Sequence, residues 1–119
     1  MSKDKVFLDK NNIISWIPEN QSGDTEGTKT AFDVLESLIT DHNATSILVD
    51  LSKAEKPSSE QRKIMVQRIK DNYDMIKKVA LFGDTPLMKV VAYFIINASE
   101  LKNIRFFSSR SQALTWLKD

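Results

Sequence analysis

The chain predicts an α/β fold: a mostly parallel five-stranded sheet, opened by an antiparallel hairpin and interleaved with four helices in the order ββαβαβαβα. Three observations carry this. The stretch Ser46-Ile-Leu-Val-Asp-Leu-Ser52 is a nearly continuous aliphatic run without the alternation of a half-wet strand, as expected of a strand buried on both faces. Amphipathic helical patterns stand on both sides of it. Strands separated by helices also require right-handed crossovers, and therefore parallel pairing.

The elements follow in order. Val6–Leu8 and Ile13–Ile17 flank Asp9-Lys10-Asn11-Asn12, and asparagine tolerates positive φ, so this segment reads as a hairpin. Pro18 cannot donate to a ladder and ends the second strand. The polar stretch from Glu19 to Thr28 carries Gly23 and Gly27 and reads as the longest, most mobile connection. A helix is expected from about Thr28 to Asp41, with Asn43 suited to a left-handed cap. His42, the only histidine, then sits at a helix C-terminus, away from the rim where α/β sheets carry ligand sites.

After the central strand, Ser58 and Gln61 have capping-box spacing, and Met65, Ile69, Tyr73 and Ile76 follow at helical spacing. Arg62, Lys63, Gln67, Arg68 and Lys70 form the face expected in solvent. Val79–Phe82 is a second buried strand. Thr85 can cap the next helix, with Pro86 at its first position. Ile104–Phe107 is the last strand. Ser109 and Gln112 repeat the capping pattern before Ala113, Leu114, Trp116 and Leu117 dock a final helix.

Composition limits what the chain can do. At 119 residues, 41% hydrophobic and 28% charged, it reads as one globular domain, 1–119. Seventeen basic against sixteen acidic residues leave a formal charge of +1, which supplies no overall field to attract nucleic acid. Cysteine is absent, which excludes disulfides, thiolate nucleophiles and cysteine-type zinc sites. No signal pattern follows the polar first residues, and the longest apolar run is too short to span a bilayer. The expected location is the cytoplasm, with no integral membrane part and no cofactor.

The segment Leu87–Ile96 is greasier than an ordinary surface helix. A stripe through Leu87, Val91, Phe94, Ile95 and Ala98 suffices to dock it, and Met88, Val90 and Ile96 lie beyond that stripe. Three covers are open: a neighbouring helix, a second copy of the chain, or a bound apolar ligand.

Ile47-Leu-Val-Asp-Leu-Ser52 followed by Ser58-Ser59, Val79-Ala-Leu-Phe-Gly-Asp84 leading into the apolar helix, and Phe106-Phe107 followed by Ala113-Leu-Thr-Trp-Leu117 together resemble the SpoIIAA-like superfamily. That superfamily holds the STAS domains and the CRAL-TRIO lipid-binding relatives, and the likeness is closest to its small stand-alone proteins. It implies a βα sandwich and a non-enzymatic regulatory or protein-interaction module, with a protein partner or homodimer. In regulatory STAS domains a serine at the matching helix start is phosphorylated, so Ser58 and Ser59 become the candidate phospho-switch. Pro57 and Glu60 depart from the acid and glycine that flank that serine in the family pattern, and helix capping alone also explains Ser58.

The expected partner or ligand surface comprises Asp50, Ser52, Gly83, Asp84, Thr85, Met88, Lys89, Val90 and Ala92. The resemblance also implies a second role, as carrier or sensor of a small apolar ligand or lipid. That ligand would lie between the Pro18–Thr28 loop and the greasy helix, against Trp16, Phe82, Met88, Ala92 and Phe94. Catalysis is not expected. Asp50, Ser52, Asp84 and Thr85 gather acids and hydroxyls at one rim, but no histidine or cysteine stands there to activate a nucleophile, and neither a phosphate loop nor metal-ligand spacing occurs.

Overall fold

The computed structural model describes residues 3–99 and 102–119; the side chains of Phe94, Ala98 and Ser99 also lie outside the described residues. The roles expected for Phe94 and Ala98 therefore fall outside them too.

Strands β1 (Lys5–Leu8) and β2 (Ile13–Ile17) form the expected antiparallel hairpin. Asp9 closes its turn: Oδ1 accepts the N–H groups of Asn11 and Ile13 at 2.8 and 2.9 Å, and Asn12 takes a φ of 61°. Strands β3 (Ser46–Asp50), β4 (Lys78–Phe82) and β5 (Ile104–Phe107) follow in parallel, and their order in space is their order in the chain.

That order decides where the helices go. Each parallel crossover steps in the same direction and is right-handed, so its helices collect on one face. These are α1 (Thr25–His42), α2 (Ser59–Asp71) and α3 (Pro86–Ser99). The last helix, α4 (Arg110–Lys118), connects no strands and folds back over the opposite face. Alternation along β3 shows the division: Ile47 and Val49 join Trp16, Phe32 and Leu35 in the larger core, whereas Leu48 joins Ala80, Phe82, Ala113 and Leu117 in the smaller. The central strand is dry on both sides, as its composition predicts.

Several elements differ from the sequence reading. Helix α1 begins at Thr25, one turn early, because Asp24 accepts the Gly27 N–H and caps it. The expected mobile loop is thereby shortened, and it is also tied down: Asp4 Oδ1 accepts from Glu19 and Asn20 at 2.7 and 2.8 Å. Asn43 does take the left-handed cap after His42. Helix α2 stops at Asp71, and Tyr73 is exposed rather than in the core, because Asn72 bonds the Arg68 carbonyl and ends the helix.

Arg68, expected in solvent, instead bridges α1 and α2. Its guanidinium donates to both carboxylate oxygens of Glu36 and to Asp33, and lies over the Phe32 ring. The hydrogen bonds from Arg68 hold the Glu36 carboxyl below its ordinary value despite partial burial, and Asn72 adds a third donor. Ser58 and Gln61 complete a true capping box, whereas at α4 only the Ser109 half forms, since the Gln112 side chain meets Ser108.

In α3 the docking face turns on Ala92 and Ile95, with Met88 and Val91 partly covered. Leu87 was assigned to that face but is 52% exposed, and Val90 is 66% exposed. The chain comes so close here that a Cβ on Gly83 would meet Met88 Sδ at 2.9 Å, so glycine is what lets the first turn of α3 approach the end of β4.

Candidate functional site

Parallel pairing brings the ends of β2, β3 and β4 and the starts of α1, α2 and α3 to one rim of the sheet. Rims of this kind carry the ligand sites of open α/β sheets, because loops there face solvent while the strands hold them rigid. Two features stand side by side on it: a serine pair and an apolar cleft.

The two serines are not equivalent. The Ser58 hydroxyl accepts the Gln61 N–H at 3.2 Å and serves the helix as its N-cap. Ser59 is exposed in the first turn, and its hydroxyl accepts from the Arg62 guanidinium at 3.3 Å. Arg62 is held in turn by the Pro57 carbonyl at 2.9 Å.

The cleft opens beside them. Its walls come from Trp16 and Pro18 after β2, Leu51 after β3, Met65 of α2, and Leu87 and Met88 of α3, enclosing about 70 Å³ of free space. Trp16 is fixed by an edge contact with Phe32, with ring centres 5.0 Å apart, and by its indole N–H, which donates to Asp4 at 2.9 Å.

Gln61 joins the two features. It is 3% exposed and saturated. Oε1 accepts from Gly23 and Ser58; Nε2 donates to the carbonyls of Gln21 and Asp24 and to the Thr28 hydroxyl. Gly23 presents its N–H from a φ of 93°, a conformation open to glycine. Glu55 also accepts the Ser22 N–H. The loop over the cleft is thus pinned to the start of α2.

The expected surface residues separate. Asp84, Thr85, Lys89 and Val90 are exposed along the start of α3, and Thr85 caps it by accepting the Met88 N–H. Ser52 is exposed, and its N–H goes to Asp50 Oδ1 at 2.9 Å. Asp50 pairs with Phe82 in register, and Phe82 faces α4, so neither residue reaches the cleft. Phe82 is accordingly no part of an apolar ligand site on the opposite face. Gly83 is buried and Ala92 is fully covered beneath α3; neither has a side chain to offer a partner. Trp16 and Met88 do line the cleft. Leu51 was missed, although the period of two that places Ile47 and Val49 on the helical face predicts it. Nothing local marks Gln61 as more than a capping partner.

The Domain of unknown function DUF7793 matches residues 7–119. The chain belongs to this family. No curated protein matches it. Solved structures similar to this DUF7793 chain include the protein TM1081, determined by NMR, with 14% identity over 99% of this chain and 89% of that one and a TM-score of 0.72. A DUF3478-family protein from Shewanella loihica with a SpoIIAA-like fold is 16% identical over 96% of this chain and 91% of its own, with a TM-score of 0.72. Moorella thermoacetica RsbS with a serine-to-glutamate substitution is 14% identical over 98% of this chain and 96% of its own, with a TM-score of 0.73.

At such identities the likeness establishes the fold, which is SpoIIAA-like, as the residue patterns imply. Among the described residues, no helix is long and apolar enough to cross a membrane, and no cluster of three or more acids or histidines could hold a metal ion.

Proposed function

We propose that the chain acts in the cytoplasm as a non-enzymatic regulatory module, residues 1–119 forming one STAS-like unit that binds a protein partner or a second copy of itself. The observation that carries this reading is the exposed Ser59 hydroxyl, 3.3 Å from the Arg62 guanidinium in the first turn of α2. A phosphate there would add roughly 1.5–2 negative charges at a helix N-terminus beside a ready cation. Ser58 serves less well, since modifying it removes the cap. The reading surface is the exposed start of α3, where Asp84, Lys89 and Val90 stand beside Leu87.

Incubation with ATP and native cell extract, followed by mass spectrometry, is expected to place a phosphate on Ser59. An unmodified serine pair sinks the switch. Light scattering of the wild type and of Val90→Glu tests self-association, and a monomer in both removes the homodimer.

The cleft favours a second reading, a carrier or sensor for a small apolar ligand. Its support is the cleft between the loop after β2 and α3, walled by Trp16, Leu51, Met65 and Met88.

A further inference from the structure

Resting on the protein-partner reading, we propose that the partner docks an acidic, carboxylate-rich segment in the hollow beside the edge strand β5, where α3 approaches from one face of the sheet and α4 from the other. Three observations point this way.

The first is how charge is distributed. Residues 101–118 carry four basic residues, Lys102, Arg105, Arg110 and Lys118, and no acidic one, although the whole chain is nearly balanced. Lys89 of α3 and Arg105 of β5 both line the hollow, and no carboxylate does. Asp84, exposed just before α3, is not part of its wall. Several cations elsewhere are matched within the chain: Arg68 by Glu36 and Asp33, Lys5 by Glu19, and Lys29 by Glu26. Among the described residues neither Lys89 nor Arg105 has such a partner.

The second is how those groups are held. The Arg105 guanidinium lies over the Phe107 and Trp116 rings, 5.3 and 5.6 Å from their centres. Lys89 Nζ lies 5.9 Å from the centre of Tyr93, which itself packs on Phe106. Stacking on a ring fixes the plane of a guanidinium and leaves its N–H edge for a carboxylate. The third is Gln112, at the start of α4. Its Oε1 accepts the Ser108 hydroxyl at 3.0 Å, which leaves the amide N–H groups as donors to the hollow it lines. Single exposed ion pairs contribute little, so a lone anion gains too little here and several carboxylates on one segment are needed. A nucleic-acid strand suits the site less, because its bases need open ring faces and cations already lie over Phe107 and Tyr93. A two-fold pairing of two copies at this hollow would set like charges against each other.

Binding of a fluorescein-labelled peptide, Glu-Glu-Leu-Glu-Glu-Leu, to the full-length chain would be followed by anisotropy, beside its lysine counterpart and an oligouridylate of equal length. The acidic peptide is expected to bind and the lysine peptide is not. Arg105→Gln should weaken binding about threefold or more, whereas Lys10→Gln, which removes the same charge in the β1–β2 turn, should leave it unchanged. Lys89→Gln, on another element, gives the same readout should Arg105→Gln not fold. Undiminished binding by the folded Arg105→Gln and Lys89→Gln variants overturns the assignment to this hollow. A lysine peptide that binds as tightly as the acidic one overturns the charge complementarity, and tighter binding of the oligouridylate overturns the choice of a protein segment. Silence toward the acidic peptide overturns the docking but leaves the partner reading to its own tests, the phosphate on Ser59 and light scattering of Val90→Glu.

Discussion

Gln61 Oε1 accepts the Gly23 N–H at 2.7 Å across 38 residues of chain, and this bond ties the loop after β2 to the first turn of α2. The same oxygen accepts the Ser58 N–H at 2.8 Å, so the cap of one helix and the lid of the cleft share a single side chain.

Replacing Gln61 by alanine would leave buried N–H and C=O groups on both segments without partners. The expected cost is roughly 2–4 kcal/mol, since each stranded group forfeits about 1–3 kcal/mol. Hydrogen exchange at residues 20–24 should accelerate at the same time. A loss below about 1 kcal/mol in urea unfolding would show that the loop is held by something else.

Ser58 and Ser59 should respond differently to truncation. Ser58→Ala removes the cap and is expected to cost about 1 kcal/mol. Ser59→Ala should stay within about 0.5 kcal/mol of wild type. Ser59→Asp should be neutral or slightly stabilising, as an acid in a first turn faces the positive end of the helix. Denaturant midpoints of the three variants measure this, and equal losses at both serines would contradict the assignment of roles.

Val90 and Ala92 lie two residues apart on α3 but on opposite sides of it. Val90→Glu puts a carboxylate into water and should change stability by less than about 0.5 kcal/mol. Ala92→Glu forces a charge into a fully covered position and should cost more than about 3 kcal/mol or prevent folding. Circular-dichroism melts of the two would decide it. A folded, stable Ala92→Glu would mean that α3 does not dock as described.

The Arg68–Glu36 clamp gives stability a specific pH dependence. The folded-state pKa of Glu36 is depressed, first by its hydrogen bonds from Arg68. Its contribution is therefore complete above the unfolded value near 4.3 and is lost as pH falls through the folded value. The pair is partly exposed, with side chains 31% and 22% accessible. Solvent screening keeps its worth to about 1 kcal/mol. Glu36→Gln should cost about that much at pH 7, and the gap to wild type should shrink below about pH 4. A gap constant down to pH 3 in urea titrations would refute the clamp.

Local patterns were enough for most of the architecture. The aliphatic run at Ser46–Ser52 announces a strand dry on both faces, because only such a strand can omit polar residues at every other position. Asn12 and Asn43 mark turns through the positive φ they tolerate, and Ser58 with Gln61 marks a helix start through spacing alone. What spacing could not reveal was whether a side chain had a distant partner. Arg68 looked solvated because its two carboxylates lie on another helix, and Leu87 looked docked because an apolar stripe does not by itself fix how α3 is rotated against the sheet.

The amino-acid order by itself determined the strands, the helices and the parallel pairing of the strands that helices separate; the strand order in space, and with it the face shared by α1, α2 and α3, came from the tertiary structure. Tertiary structure alone decided the site. The cleft and the latch at Gln61 arise from residues as distant in the chain as Trp16 and Met88, or Gly23 and Gln61, meeting at one rim. Local propensity acts over a few residues, whereas a cavity and a saturated amide depend on how separate elements close upon each other.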